Sequence, residues 1–401
     1  MNGHFARRMA NVKPSAIREL LRLGAQPDII SFGGGYPDPA LFPIEPLAAV
    51  FQEAITGQGR SALQYTLSMG MPRLREQIAA RMAREQIRCT ADQVLILQGA
   101  QQGLDLVAKM LVDRGDTIIT ENPTFLGALI AFNPYEPRYV AVRTDTEGMD
   151  VDQLEQLLEQ EKGAKLLYTM PDFQNPTGVT LSLARRRRLI ELANRFDLIV
   201  LEDTPYRDIR FEGEPLPTLK SLDTEERVIY LGSFSKILAP GLRLGWAVAS
   251  TRLVDGLGLL KLAADTQCST LSMTATSLYL DRFDVESHIV VIRETYRRKK
   301  QAMLRAMRAA FPPDITCTNP QGGMFTWVSF PAGFDAARFL AEQALPRARV
   351  AYVPGATFFP VTEEANHMRF SYTMQDEATI AKGILALGRL LAPVSAKARS
   401  D

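Results

Sequence analysis

The sequence Arg227-Val228-Ile229-Tyr230-Leu231-Gly232-Ser233-Phe234-Ser235-Lys236 joins an apolar run to a turn of glycine and serine. The apolar half is typical of a buried strand, so Lys236 lies just beyond a strand end. In open parallel sheets, ligands bind beyond the carboxyl ends of the strands. The stretch therefore predicts a parallel α/β sheet that presents a lysine at its functional edge.

The residues around Lys236 are suited to a covalent partner that carries an anion. Ser233 and Ser235 precede the lysine, and Arg243 follows it. A lysine that loses its proton in a partly desolvated pocket bonds to aldehydes, and hydroxyls with a forked guanidinium hold a phosphate. These residue types point to pyridoxal phosphate. A lone Ser-x-Ser-Lys is more often an exposed lysine, so the assignment depends on other stretches.

Composition excludes several classes of protein. With 401 residues, 46% hydrophobic, the chain is long enough for roughly two or three globular domains. A formal net charge of +1 gives no basic field for nucleic acid, and the one dense basic run, Arg185 to Arg188, is expected to form a solvated helix face. The three cysteines and three histidines match no metal-ligand spacing. We find no signal peptide or membrane-length apolar run and expect a cytoplasmic protein.

From Gln93 onward, predicted strands and helices alternate. This order indicates βαβ units and a mostly parallel sheet between helices. Its seven predicted strands are 94–97, 117–120, 139–142, 166–169, 198–201, 227–231 and 243–249. We expect an N-terminal arm and substrate-covering segment at 1–45, a large cofactor-binding domain at 46–275, and a smaller α+β domain at 276–401 to which the arm contributes.

Several other strand ends and helix starts carry chemically suited residues. Ala100 and Gln101 open a helix whose free N–H groups and dipole suit a phosphate, and Phe125 leads into the next helix. Asn175 and the pair Asp203 and Tyr206 follow two further strands. Each taken alone is compatible with a turn or a solvated cluster. Together they are expected to meet in one crevice, because the strand ends share one edge of the sheet.

Two features precede this region. The glycine-rich loop from Ser31 to Pro39 lacks the dinucleotide-binding spacing, and it is either a flexible loop or a place where backbone closely approaches a ligand. A short helix is predicted at 15–23. Tyr65 lies in a polar segment without periodicity and is compatible with ordinary packing.

In this order, the motifs resemble those of the fold-type I pyridoxal phosphate enzymes, specifically the class I/II aminotransferases. The chain looks most like the subgroup of 2-aminoadipate, kynurenine and multi-substrate aromatic aminotransferases. The resemblance rests on Asn175-Pro176-Thr177-Gly178, on Asp203-x-x-Tyr206, and on Ser233-x-Ser235-Lys236 with Arg243, and it covers nearly the whole chain. It implies ping-pong transfer of an α-amino group to a 2-oxo acid, with 2-oxoglutarate as the expected acceptor, by a homodimer.

The resemblance also implies a role for each site residue. Lys236 would bond to the cofactor, Asp203 would pair with its ring nitrogen, and Phe125 would stack on its ring. Asn175 and Tyr206 would bind the ring's phenolic oxygen. The residues expected to hold the phosphate are Ala100, Gln101, Ser233, Ser235, Arg243 and the partner subunit's Tyr65. The residues expected to bind substrate are Arg369, through its α-carboxylate, with Asn175 and Gly34, and Arg18 and Tyr36 near its side chain.

The chain departs from the family pattern at two positions and leaves two alternatives open. Ala100 stands where Ser or Thr is common, so the backbone amide must serve there, and Phe125 stands where Tyr is common. A lyase or decarboxylase of the same fold would carry similar cofactor motifs. An aminotransferase-like effector-binding regulator is the other alternative, but too few residues precede the helix at Pro46 for a winged-helix domain.

Overall fold

The structure is a computed structural model that describes residues 4–12, 26 and 28–397. Within them the strands, in chain order, are β1 (Ile30–Ser31), β2 (Val94–Leu97), β3 (Thr117–Asn122), β4 (Arg138–Asp145), β5 (Gly148–Met149), β6 (Leu166–Thr169), β7 (Ile199–Asp203), β8 (Val228–Ser233), β9 (Gly245–Val248), β10 (Thr316–Cys317), β11 (Phe325–Ser329), β12 (Val350–Ala351), β13 (Val353–Pro354) and β14 (His367–Ser371). The helices are Ile44–Thr56, Gly59–Ala62, Pro72–Arg84, Ala100–Leu111, Leu126–Phe132, Val151–Gln160, Leu183–Arg195, Leu219–Leu222, Thr251–Asp265, Thr270–Arg282, Val285–Ala310, Ala336–Phe339 and Glu377–Lys397, with a π-helical segment at Leu340–Ala348.

The larger sheet confirms the predicted, mostly parallel architecture. Its order is β2-β9-β8-β7-β6-β3-β4-β5, and the five strands from β8 to β4 are parallel. Strand β9 runs antiparallel to both of its neighbours. The sheet has eight strands rather than seven because β5 folds back on β4, and two residues are too few to show strand alternation in a sequence.

The central strands are apolar along their length because helices cover both faces of the sheet. All four residues of β2 and all four of β6 are buried. The side chains that face opposite sides of the sheet belong to separate apolar clusters, with Leu95 and Leu97 in one and Val94 and Ile96 in another. This packing holds the carboxyl ends of the parallel strands at one edge.

A second, antiparallel sheet lies in the C-terminal part, in the order β10-β11-β14-β13. The N-terminal arm joins this part of the molecule, since β1 pairs in parallel with β12. Phe32, which follows β1, is buried against Phe370 with the ring centroids 5.9 Å apart. The glycine-rich loop after Phe32 is thereby anchored beside β14. The helix predicted at 15–23 lies outside the described residues.

The expectation for the basic run 185–188 is wrong at Arg186. Its side chain is fully buried, and Nη2 donates to Asp172 Oδ1 at 2.8 Å and to the Pro171 carbonyl at 2.8 Å. Arg186 precedes Leu189 and Ile190 by three and four residues, so it lies on the buried face of the same helix. The charge pattern of the sequence could not show that Asp172 lies under this helix, where it pairs with Arg186.

Candidate active site

The amine of Lys236 lies at the carboxyl edge of the larger sheet. A turn follows β8, closed by the Ser235 N–H donating to Ser233 Oγ at 3.1 Å. Lys236 Nζ donates to the Gly35 carbonyl at 2.8 Å. Burial, with smaller contributions from the guanidinium groups of Arg243 and Arg369, lowers the pKa of Lys236 to about 8. An amine in this environment loses its proton readily, as a nucleophile or a base requires.

A cradle of backbone and guanidinium lies next to this turn. The helix Ala100–Leu111 begins after Gly99, whose φ is 75°. Arg243 Nη2 donates to the Gln98 carbonyl at 3.2 Å, and a Cβ added to Gly99 would lie 2.7 Å from that nitrogen. Only glycine therefore lets the guanidinium lie against the start of the helix. Free N–H groups at a helix start, with a guanidinium beside them, favour an anion such as phosphate.

The side chain of Gln101 turns toward the next helix, where its amide nitrogen donates to the Gly127 carbonyl at 2.7 Å. Phe125 immediately precedes that helix. Its ring packs on Gly127, because a Cβ there would lie 2.4 Å from the ring. With its side chain engaged in this way, Gln101 has its backbone N–H left to bind an anion. The Phe125 ring is held in place by its packing on Gly127.

Asp203 ends strand β7 and is buried. Its Oδ2 accepts a hydrogen bond from the Tyr168 hydroxyl at 2.9 Å, while its Oδ1 has no partner among the residues that the structure describes. Burial raises the pKa of Asp203 to about 7, and the Tyr168 hydrogen bond opposes this shift. A buried oxygen without a partner is costly, so the geometry favours a ligand that donates to Oδ1.

Arg369 connects the second sheet to this edge. It is buried on β14, and its Nη1 and Nη2 donate to Asn175 Oδ1 at 2.8 Å and to the Gly33 carbonyl at 2.7 Å. Its Nε has no partner in the described part of the chain. Burial lowers the pKa of Arg369 to about 10. Asn175 also donates to the Tyr206 hydroxyl at 3.4 Å, so one amide links the arginine to the tyrosine.

Comparison with known proteins assigns these features to a family. The model of the family "Aminotransferase class I and II" matches residues 28–386. The chain belongs to this family. The transaminase is 40% identical over 393 residues to aromatic-amino-acid aminotransferase 1 of Thermococcus litoralis, covering 97% of this chain and 94% of the relative. It is 39% identical over 391 residues to the 2-aminoadipate transaminase of Thermus thermophilus, covering 96% of each.

A solved structure shows the same architecture. Kynurenine aminotransferase of Pyrococcus horikoshii, in complex with PMP, superposes with a TM-score of 0.93 at 39% identity, over 97% of both chains. The expected class and subgroup resemblance are thus confirmed, and the chain is an amino-group-transferring enzyme of a family that implies a pyridoxal phosphate cofactor. The alternative of an effector-binding regulator is not favoured.

Two predicted site residues of the transaminase, Tyr65 and Tyr36, are exposed rather than buried with the groups above, and a third is not described. Tyr65 is 81% exposed, and Tyr36 is 51% exposed while its carbonyl accepts from Thr373 Oγ1. Arg18 lies outside the described residues. Gly34 is buried in the glycine-rich loop, between the two glycines whose carbonyls accept from Arg369 and Lys236.

Sequence reasoning missed the carbonyls of Gly33 and Gly35 and the hydroxyl of Tyr168. For the glycines a signal existed, since a glycine run permits close backbone approach; a Cβ on Gly35 would lie 2.8 Å from the Phe325 ring. For Tyr168 the only signal is a hydroxyl inside an apolar strand. A buried hydroxyl needs a hydrogen-bond partner, but the sequence does not indicate which residue that partner is. Within 4–12, 26 and 28–397, His, Cys, Asp and Glu side chains form no group able to hold a metal ion. No described helix is both long and apolar enough to span a bilayer.

Proposed function

We propose that this transaminase binds pyridoxal phosphate at Lys236 and transfers the α-amino group of 2-aminoadipate-like, aromatic or aliphatic amino acids to 2-oxoglutarate in a ping-pong cycle. The observation that carries the proposal is the position of the Lys236 amine, which lies beyond the end of β8 with Nζ 2.8 Å from the Gly35 carbonyl. Burial there, with two guanidinium groups nearby, lowers its pKa to about 8. An amine of this kind both bonds to an aldehyde and moves protons near neutral pH.

The residues at the site fit the cofactor. Asp203 Oδ1 is a buried oxygen that still needs a donor, which a protonated ring nitrogen supplies. The cradle of Gly99, Arg243 and the following helix start suits the phosphate, with the hydroxyls of Ser233 and Ser235 on the adjoining turn. When bound, pyridoxal phosphate supplies an electron sink for the negative charge that develops at the substrate's α-carbon.

The protein's own groups then bind, orient and move protons. Lys236 Nζ would remove the proton from the substrate's α-carbon and would then deliver a proton to the cofactor side of the same bonded system. Arg369 binds the substrate's α-carboxylate through two hydrogen bonds from its guanidinium. Asn175 holds the guanidinium in place by accepting from Nη1 at 2.8 Å. Asp203 keeps the ring nitrogen charged. Tyr206, whose hydroxyl accepts from Asn175 at 3.4 Å, would bind the ring's phenolic oxygen.

For the substrate side chain, the proposal rests on the relatives' names and on two residues of this chain. The relatives named above act on aromatic amino acids or on 2-aminoadipate. Tyr36 is exposed on the loop that contacts Lys236 and Arg369, and it supplies an aromatic surface. Arg18 would bind a distal carboxylate. One pocket would thus accept dicarboxylic and apolar side chains.

The proposed enzyme is a cytoplasmic homodimer with shared active sites. Leu63, Tyr65 and Leu67 expose 69%, 81% and 56% of their surface, which makes this segment suited to a subunit contact. The partner subunit's Tyr65 would complete each phosphate site. The free thiols of Cys89 and Cys268 fit a reducing compartment. Gel filtration of wild type and Tyr65→Ala, with cofactor content measured in each, tests whether assembly and cofactor retention depend on this segment.

Borohydride reduction tests the central assignment. Purified protein with pyridoxal phosphate should be labelled at Lys236, and Lys236→Ala should lose both the label and transfer activity. Lys220→Ala, at a lysine paired with Asp223, is the matched control and should keep both. Addition of glutamate should convert the cofactor's absorbance to that of its amine form, whereas a lyase or decarboxylase would release product without this conversion. Label on another lysine would refute the proposal.

A further inference from the structure

Tyr168 is a buried titratable residue that the proposed chemistry does not use. It lies on β6, fully buried, with its ring edge-on to Phe132 at 5.6 Å between centroids. Strand β6 pairs with β7 so that Tyr168 is opposite Leu201. Asp203 is two residues beyond Leu201, and side chains two apart share a face of the sheet. The register therefore brings the phenol beside the carboxylate.

The direction of this hydrogen bond is fixed by the surroundings. Burial, together with the nearby Asp203, raises the pKa of Tyr168 well above its usual value, so the hydroxyl keeps its proton and donates to Oδ2 at 2.9 Å. A hydroxyl that donates to a carboxylate forms a strong, charge-assisted bond. With Oδ2 engaged, Oδ1 is the oxygen that has no partner among the described residues.

A second buried acid makes this donor necessary. Glu121, on β3, is also buried, and its pKa is raised to about 7 by burial, with a contribution from the charge of Asp203. Glu121 has its own donors, the Thr169 hydroxyl at 3.0 Å and the Met170 N–H at 3.1 Å. Among the described residues, Tyr168 is the side chain that stabilises negative charge on Asp203 by hydrogen bonding.

We propose that Tyr168 is a positioning residue that orients the Asp203 carboxylate and controls how fully the cofactor's ring nitrogen is protonated. This inference rests on the proposed binding of pyridoxal phosphate. Without the phenol, Asp203 becomes more basic and free to rotate, so the proton shared with the ring nitrogen shifts toward the carboxylate. Tyr168 would act through the Asp203 carboxylate to which it donates, and not on the cofactor or the substrate directly.

The test compares holoenzymes loaded with pyridoxal phosphate that carries ¹⁵N in the ring. In Tyr168→Phe, the ¹⁵N signal should move from the protonated toward the unprotonated position, and release of cofactor should be about tenfold faster, as expected for a lost bond to a charged group. The matched control is Tyr352→Phe, which removes another buried phenol, one that donates to the Ala336 carbonyl at 2.7 Å. The control should lose stability without moving the ¹⁵N signal.

A second background shows whether Tyr168 acts through Asp203. In Asp203→Asn, adding Tyr168→Phe should leave the release rate unchanged, because the group through which the phenol acts is gone. An equal acceleration in both backgrounds, or an unmoved ¹⁵N signal in Tyr168→Phe, would overturn the inference while wild type still binds cofactor. Failure of wild type to bind cofactor would instead overturn the proposed function, and this inference with it.

If Tyr168→Phe does not fold, the inference is tested instead by proton NMR of wild-type holoenzyme that carries isotope-labelled tyrosine. The Tyr168 hydroxyl proton should appear far downfield and exchange slowly, as a buried proton bound to a carboxylate does. A hydroxyl proton in fast exchange with water would show that the phenol does not hold Asp203, which contradicts the inference.

Discussion

Replacing Arg369 by lysine tests how the site recognises a carboxylate. The guanidinium holds Asn175 Oδ1 at 2.8 Å and the Gly33 carbonyl at 2.7 Å while its Nε lacks a described partner. A lysine keeps the charge but cannot hold both acceptors and present two parallel donors to a substrate. A hydrogen bond to a charged group contributes about 1.5–3 kcal/mol. Loss of one such bond predicts a kcat/KM for amino acids that is lower by roughly 10–150-fold.

The assay is the first half-reaction, in which holoenzyme is mixed with an amino donor and conversion of the cofactor to its amine form is followed by absorbance. The same measurement with the donor's decarboxylated amine shows what remains when no α-carboxylate is present. Arg369→Lys should reduce kcat/KM for the amino acid and leave that for the amine nearly unchanged. The control Arg338→Lys alters an exposed pair with Glu342 and should change neither. Equal losses for acid and amine would refute a carboxylate-binding role.

Three further predictions concern the cradle and the buried charges. Gly99→Ala forces a Cβ to within 2.7 Å of Arg243 Nη2, so cofactor release, measured by dialysis, should be about tenfold faster; Gly115→Ala, which has a similar positive φ but open space, should lose only stability. Cofactor-free protein should lose stability as pH rises from 3.8 to about 7, because folded Asp203 keeps a proton that the unfolded chain has released. The free energy of unfolding, measured by urea titration, should fall with pH in wild type relative to Asp203→Asn by about 1.4 kcal/mol per pH unit in that window. A difference between the two proteins that does not change with pH would contradict the raised pKa. Asp172→Asn should lower the free energy of unfolding by about 3–5 kcal/mol, because its guanidinium partners remain buried without the charge that they need.

The edge on which the site is built could be predicted from the sequence because it follows from topology. Apolar runs that alternate with helices indicate parallel strands, and parallel strands end at a common edge. Lys236, Asp203 and Asn175 were placed there for this reason. Their individual roles came from the family resemblance, since strand-end position alone does not distinguish a ring partner from a solvated acid.

Contacts that depend on register or on distant chain segments could not be predicted. The Tyr168–Asp203 bond requires knowing which residues of β6 and β7 are opposite each other. The Lys236–Gly35 contact joins residues 201 positions apart and depends on the arm returning beside β14. Burial of Arg186 likewise depends on Asp172, which is in a different segment. Each contact depends on which two segments pack together, and a local sequence pattern carries no information about that.

The buried charges around Asp172 are better explained by the position of Asn175 than by net stability. Two guanidiniums besides that of Arg186 reach Asp172, from Arg207 at 2.9 Å and Arg210 at 3.4 Å. These bonds fix the start of the loop that carries Asn175. A buried ion pair is often no more stabilising than apolar packing, because desolvation offsets the attraction between the charges. What it does supply is a single geometry.

The other end of the same loop is held by a second buried network. Gln174 donates to the Pro123 carbonyl at 2.7 Å and accepts from the Thr177 N–H at 2.9 Å, and its amide nitrogen also reaches Glu121 at 3.4 Å. Asn175 is thus fixed from both sides before it meets Arg369 and Tyr206. A guanidinium that binds a carboxylate through two hydrogen bonds binds it much less well when displaced by about an ångström. The immobilised loop therefore allows the Asn175 amide to orient both Arg369 and Tyr206.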